Sequence, residues 1–554
     1  MAEKRAFHRS RLFYVLSGVL LIILTIGYFI WRNYKYQLVN KKLDHLVTGK
    51  SKGLYQLSYQ HLIIDEALGN ISAEEVELIP DSLMYLTLLE QKKAPESLFY
   101  IRIPKLIISG VKTPRALLNK EISAHIIRIQ NAEIEIRMGR AGKEKQPDFK
   151  SILASEQYRQ LLGNLNSITA DSVVLENARL TLVDKESKNI RYKAEGLSIR
   201  FAGIAIDSVT QKDSSRMIFS NDQALHCNQL DIPTKNKVYN FKISGLDYNS
   251  QTEQLHTEEI RLIPSQSETA FASANKYAKD RFNMTIGHLD IIHLDRQSLL
   301  HQEIVADSLI LSNASIRIFR DKSVPHDSVD RTHDYPQEAI MRLSLPVYIQ
   351  KIIFRDSYIE YKEKNEKSDS SGKVAFFHVF ASIKNVTNMT DSIMKDHQMR
   401  LHFESSFLNA ASFTANINMR LNDRKGNFQL DAKLGEIDAV LLNPLLKPMA
   451  LAEMKKGKIK ELQYHMDADN THARGKLYLK YDDLKIKLLK KDDDKNKYKT
   501  KFFPTLAAGV ILKDSNPQND KMRVGNIDYT RDIHRSMFNL MWKSLFAGIK
   551  QVAL

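Results

Sequence analysis

A metal site or a nucleophile in this chain would have to come from 17 histidines and one cysteine, and their spacing supports neither. Cys227 stands alone, which excludes an intramolecular disulfide and any zinc site built on cysteines. His288 and His293 are near neighbours without a carboxylate at ligand spacing, and read as strand or loop histidines. Asp492-Asp493-Asp494 sits between lysines and lacks the alternating ligands of a calcium loop, so it reads as a solvated charge run. Gly139-Arg140-Ala141-Gly142-Lys143-Glu144 is a basic loop, not the G-x-x-x-x-G-K-[ST] of a phosphate cradle. G-x-S-x-G, H-E-x-x-H, C-x-x-C and G-x-G-x-x-G are all missing from the sequence. The expectation is therefore a protein that is not an enzyme, with no catalytic, cofactor-binding or metal-ligating residues.

Function must then come from location and architecture. The chain has 554 residues, 43% apolar and 26% charged, the balance of a folded protein. Only 21 glycines and 14 prolines rule out collagen-like and low-complexity chains. Residues 12–31, from Leu12 through Leu20 and Leu24 to Trp31, carry no charge. As a helix, 20 residues span ~30 Å, the thickness of a bilayer core. Tyr28, Phe29 and Trp31 occupy the far end, where interfacial aromatics belong. No small-x-small cleavage pattern follows, and the run is long for a signal peptide. Residues 1–11 read as a cytoplasmic tail and 12–31 as an uncleaved transmembrane helix, with everything beyond exported.

The exported body repeats itself. Residues 98–136 align with 281–318 across one single-residue gap: Phe99 with Phe282, Ile103 with Ile286, Asn131 with Asn313, Ile134 with Ile316. Upstream, residues 74–80 match 258–264, and in both copies a helical stretch follows the proline, about 82–93 and about 268–279. Repetition at this scale is the signature of a tandem architecture. A shorter motif recurs four times, at 126–136, 173–182, 309–318 and 352–361: apolar residues, an Asn-Ala or Asp-Ser step, then apolar alternation. Asn and Asp tolerate unusual backbone angles, so each step predicts a bulge or bend. Alternation such as Ile134, Ile136 and Met138 against Glu133, Glu135 and Arg137 predicts strands with one wet and one dry face. Helical patterns are few, at about 149–163, 437–452 and 533–552. The expected fold is mainly β: an elongated, curled antiparallel sheet or groove of tandem repeats, with few helices and one transmembrane helix. The domains are read as units over 32–215 and 216–395, then a C-terminal β domain over 396–554.

The net charge is +16, and residues 455–554 hold 22 Lys and Arg against 12 Asp and Glu. Nucleic acid is a poor partner, since the lysines lack interleaved aromatics; anionic lipid head groups fit a tethered, exported protein better. The chain ends in an amphipathic helix whose apolar stripe includes Phe538, Trp542, Leu545 and Phe546. That stripe is too large to leave in water, and suits a lid on the last strands or a foot on a membrane.

A basic N-terminus, one spanning helix and repeated β units resemble the AsmA-like proteins of Gram-negative envelopes. The pattern at 98–136 and 281–318 carries the likeness, with the distal stretch 443–489. The resemblance implies an inner-membrane, single-pass protein with its body in the periplasm. It implies an apolar β groove that binds or transfers phospholipid for outer-membrane assembly. Ile134, Ile136, Ile316 and Ile318 are the candidate lining, with ordinary core packing as the competing reading of the same residues. A non-enzymatic scaffold that binds envelope assembly proteins is the alternative function.

The anchor is directly testable. A reporter fused after about residue 45 is expected to be active only if it functions outside the cytosol. Arg in place of Leu21 or Ile22 is expected to lower insertion, because a central charge costs about 2.5–3.5 kcal/mol; activity of a cytosolic reporter at that junction would reverse the orientation.

Overall fold

The computed structural model describes residues 51–553 apart from 52, 66, 96, 112–120, 139–165, 185, 211–212, 214–215, 218, 235, 366–370, 451, 492–497 and 501–513. The anchor residues Leu12, Leu20, Leu24 and Trp31, the expected helix over 149–163, the loop 139–144 and Asp492-Asp493-Asp494 lie outside the described residues. Among the described residues no helix is long and apolar enough to cross a membrane.

Strands dominate, as the period-two alternation predicts. The chain divides into two compact units: one takes in the chain up to Glu258 with His293–Glu303, the other Glu259–Ile292 with everything from Ile304. The first unit holds β1 (Tyr55–Asp65), β2 (Asn70–Pro80), α1 (Ser82–Glu90), β3 (Ser97–Ser109), β4 (Glu121–Gln130), β5 (Glu133–Met138), β6 (Ser167–Asp184), β7 (Ile190–Ile206), β8 (Asp222–Pro233) and β9 (Tyr239–Asn249). β1, β2 and β3 pair antiparallel in order. The two halves of β3 then take different partners, 97–102 pairing with β5 and 105–109 with β4. β4 and β5 both run parallel to β6, and β7, β8 and β9 follow antiparallel.

The second unit begins inside β10 (Gln254–Pro264) and continues through α2 (Glu268–Ser273), β11 (Arg281–Ile286) and β12 (His288–Ile292). After α3 (Arg296–Leu300), which belongs to the first unit, come β13 (Ile304–Ser312), β14 (Ser315–Asp321), α4 (Pro336–Met341), β15 (Val347–Lys364) and β16 (Ser371–Thr387). The pairing repeats that of the first unit. β11 pairs with β14 and β12 with β13, as the halves of β3 pair with β5 and β4. β13 and β14 run parallel to β15, which pairs antiparallel with β16. The duplicated sequence thus folds into a duplicated set of pairings.

After α5 (Thr390–Lys395), β17 (Gln398–Phe407), β18 (Ala411–Arg420) and β19 (Phe428–Leu434) form an antiparallel meander. β20 (Ile437–Asp438), a 3₁₀ turn (Ala439–Leu442) and α6 (Asn443–Ala450) interrupt it before β21 (Ala452–Ala468) and β22 (His472–Lys491). β23 (Tyr498–Thr500) and β24 (Val524–Thr530) pair with β22, and α7 (Met537–Ala553) closes the described chain. The expected helix over 437–452 is thus the turn plus α6, and α2 stops at Ser273 rather than near 279.

The expectation of a purely antiparallel sheet is corrected: the sheet is mixed. Parallel neighbours need a long crossover between them, and both units have one, over 139–166 and 322–346, the second carrying α4. Alternation reports which face a residue takes, not which direction its neighbour runs.

The four Asn or Asp steps all take left-handed backbone: Asn131 (φ 54°), Asn177 (φ 51°), Asn313 (φ 55°) and Asp356 (φ 42°). Each is followed by a small residue buried against the sheet, Ala132, Ala178, Ala314 or Ser357. Matching hydrogen bonds lock the steps in both units. Asn131 N–H donates to Glu176 O at 2.9 Å and Arg179 N–H to Ala132 O at 2.8 Å. Asn313 N–H donates to Arg355 O at 3.0 Å and Tyr358 N–H to Ala314 O at 2.7 Å. The bulge separates β4 from β5 and β13 from β14 while both halves stay on one parallel partner. A β-branched residue pays about 1–2 kcal/mol for left-handed backbone, which glycine accepts freely. Asn313→Val is therefore expected to lower stability by about 1–2 kcal/mol in urea unfolding and Asn313→Gly by less than about 0.5 kcal/mol; equal losses would show that the backbone angle is not what matters.

Candidate functional site

In both units the apolar residues of neighbouring strands meet in register. Phe99 lies opposite Ile136 and Ile101 opposite Ile134, just as Phe282 lies opposite Ile318 and Met284 opposite Ile316. Burial separates the two copies. Ile134 and Ile136 are 3% and 1% exposed, inside a cluster that runs from Leu57 on β1 to Leu230 on β8. They are core residues. Ile316 and Ile318 are only half-buried and belong to neither large cluster of buried residues.

Following the register from Ile316 gives an apolar row across six strands of the second unit. Leu262 faces Met284, Met284 faces Ile316, Ile316 faces Ile359, Ile359 faces Phe376, and Phe376 faces Phe407. All six are half-buried. A second row beside it runs from Phe282 through Ile318 and Tyr361 to Val374. At ~4.8 Å per strand, the five steps of the longer row cover about 24 Å. We refer to these rows as the apolar track.

The track has an aromatic end and a polar flank. Towards β17, Phe376 meets Phe403, Phe407 and Phe413 with ring centroids 5.4–5.6 Å apart. Those last three phenylalanines lean on the closed core of the second unit, where Leu430, Met466 and Leu477 are 1%, 0% and 0% exposed. Along β14 and β15 the same face turns polar at Arg320 and Glu363, which lie opposite each other. Arg320 pairs with Asp280 at 3.0 Å, and Glu363 takes Lys322 and the Tyr361 hydroxyl, both at 2.7 Å. Burial, reinforced by the Glu363 charge, pushes the Tyr361 hydroxyl far above the usual phenol range, so it stays a neutral donor.

α7 closes the core end by an unexpected face. Met537, Leu540, Ser544, Gly548 and Val552 are buried, and Leu545 is half-buried against the core. Phe538, Trp542 and Phe546 point outward, 76%, 40% and 36% exposed. Close approach decides this. A Cβ on Gly525 would lie 2.4 Å from Gly548 O, and one on Gly548 2.9 Å from Leu477 Cβ, so small residues must face the sheet. The Tyr464 hydroxyl, 2.8 Å from Ser544 Oγ, ties the same face to β21. Sequence reading merged both faces into one stripe; the four-residue spacing of Ser544 and Gly548 was the signal that marked the inner one.

The chemistry-bearing residues remain scattered. The Cys227 thiol faces the carbonyls of Gln229 and Glu195 at 3.3 and 3.6 Å, and burial pushes it up, away from a reactive thiolate. His288 and His293 are exposed, and among the described residues no group of three or more His, Cys, Asp or Glu could hold a metal ion. Strand lysines of the basic C-terminal region face carboxylates: Lys456 with Asp483, Lys458 with Glu436, Lys460 with Asp482 and Lys480 with Glu461. These exposed pairs contribute little to stability, but they reduce the bare positive surface. Compared with known proteins, the chain matches no family model and no curated sequence.

One substitution at equivalent positions distinguishes track from core. Ile136→Glu buries an unpaired charge and is expected to cost several kcal/mol or unfold the protein. Ile318→Glu is expected to cost less, about 1–2 kcal/mol, because the site is only partly buried and the carboxylate can reach water. Circular dichroism and urea midpoints report the difference; equal losses would make the track closed core.

Proposed function

We propose that the chain is a non-enzymatic, AsmA-like protein that binds phospholipid acyl chains along the apolar track, tethered to the inner membrane with its body in the periplasm. The observation that carries this reading is the half-buried row from Leu262 to Phe407, continuous in register and outside the closed core. An acyl chain gains about 0.8 kcal/mol for each CH₂ removed from water, so such a surface holds lipid without any catalytic group. The row, at about 24 Å, exceeds the ~15 Å depth of one hydrocarbon leaflet, half of a ~30 Å bilayer core. Arg320, Lys322 and Glu363 border the track along one side with a polar, ion-paired step. Transfer of the bound lipid toward outer-membrane assembly completes the proposal.

The outward aromatics of α7 favour a second reading. Phe538 and Trp542 are anchors of the kind enriched where proteins dock, as an envelope scaffold requires. The two readings separate in one experiment. The body beyond the expected anchor is purified without detergent, and a photo-crosslinking residue is placed at Ile316, Ile359 or, as control, Ile136. Lipid binding predicts co-purified phospholipid by mass spectrometry and lipid adducts at Ile316 and Ile359 but not at Ile136. Lipid-free protein without adducts at any position would leave the scaffold reading.

A further inference from the structure

α1 has two apolar faces: Met84, Tyr85 and Leu88 are half-buried, while Leu83, Leu86 and Leu89 face outward. Its sequence is Ser82-Leu83-Met84-Tyr85-Leu86-Thr87-Leu88-Leu89-Glu90, and no residue of it is buried. Leu83, Leu86 and Leu89 are 77%, 53% and 53% exposed, and Ile79 just before it is 44% exposed. A helix that is hydrophobic all round belongs in a core or in lipid. Nine residues reach only about 13 Å, too short to span a bilayer and suited to lying in its surface.

Three further observations say what covers it. First, α1 packs beside the first described residues of the chain, Gly53 to Gln56. Asp81 N–H donates to Leu54 O at 2.7 Å, Gln56 Nε2 to Asp81 Oδ2 at 2.7 Å, and a Cβ on Gly53 would meet Met84 at 3.0 Å. Second, the ends of α1 are polar. Asp81 caps the first turn by accepting from the N–H groups of Leu83 and Met84, and exposed Glu90, Lys92 and Lys93 follow the leucines. Third, the repeat supplies an internal control. α2 occupies the same place in the second copy, but it is shorter, reads Glu-Thr-Ala-Phe-Ala-Ser, and buries its one large side chain, Phe271. The copy nearer in sequence to the hydrophobic segment carries exposed leucines on this helix, and the other does not.

We infer that α1 is an interfacial helix, with Leu83, Leu86 and Leu89 immersed in the outer face of the bilayer that holds residues 12–31. It seats the first unit directly on the membrane. The inference rests on the anchor reading, but not on lipid being held in the apolar track. The β1–β2 turn offers a matched control: Leu68 is 69% exposed, and lies an 11-residue strand away from the end of the hairpin that carries α1. That strand length puts it roughly 30 Å from α1.

The test uses the full chain with Cys227→Ser, reconstituted into phosphatidylcholine–phosphatidylglycerol vesicles. Single variants Leu83→Cys, Leu86→Cys and Leu68→Cys carry an environment-sensitive fluorophore. Lipids with a nitroxide high on the acyl chain are expected to quench the labels at positions 83 and 86 by about half or more, because interfacial helices bury about 5–10 Å into the boundary. The label at position 68 is expected to respond to iodide in the water instead. Equal lipid quenching at positions 86 and 68 would overturn the inference. So would labels on α1 reached by iodide alone, or by neither quencher, which would mean that residues 32–50 or a second copy covers the helix. A full chain recovered in the soluble fraction would remove the anchor reading and this inference together, leaving the track to be judged by its own crosslinks.

Discussion

A strand whose side chains alternate between water and oil leaves its sheet with one face that must be covered. That requirement acts on every long strand of this protein, because among the described residues helices are too few to form a second layer. In the first unit the apolar residues from β1 to β8 join one continuous buried cluster. In the second unit the same face is closed at its C-terminal end, where β21, β22 and α7 bury Met466, Leu477 and Leu540 almost completely. Along the apolar track its residues are only partly buried. The proposed lipid-binding surface is thus the part of one apolar face that the chain itself does not finish covering. Building it takes no dedicated residue, which fits a sequence in which no catalytic motif stands out.

The bulges make this face possible over strands of unequal length. Left-handed Asn131 and Asn313 let one strand end and another begin without losing the shared parallel partner. Across each bulge the alternation resumes in phase, so Ile129 and Ile134 both stay in the core. Had the phase slipped by one residue, every later side chain would have changed faces. The small residue after each bulge fits the same logic, since Ala132, Ala178 and Ala314 are at most 1% exposed and leave no room for a larger one.

The terminal regions use exposed apolar residues in two ways. α7 turns its small residues inward and its aromatics outward, so that one helix both seals the core and presents Phe538 and Trp542. α1 turns Met84, Tyr85 and Leu88 inward and Leu83, Leu86 and Leu89 outward, beside the first described residues of the chain. Isolated exposed leucines are common on proteins. Three on one short helix, where the equivalent helix of the second copy has none, make a feature of position rather than of composition.

Local chemistry and repetition are the parts of this protein that the sequence by itself determined. Period-two alternation marked the strands, Asn-Ala and Asp-Ser marked the bulges, and self-alignment paired Ile134 with Ile316 and Phe99 with Phe282, which the strand register reproduces. The sequence also located α1 and α7 closely, since both are compact apolar runs with clear ends. Tertiary structure alone decided the rest. Parallel pairing of β4 and β5 with β6 is invisible to alternation, which encodes faces and not directions. The difference between Ile136 and Ile318 is equally invisible: both sit in the same motif, and only what packs over each face makes one a core residue and leaves the other half open. The buried face of α7 was set by how closely Gly548 approaches Gly525 and Leu477, a distance between elements far apart in the chain. Hydrophobicity tells a side chain to leave water; which surface receives it is a property of the whole fold.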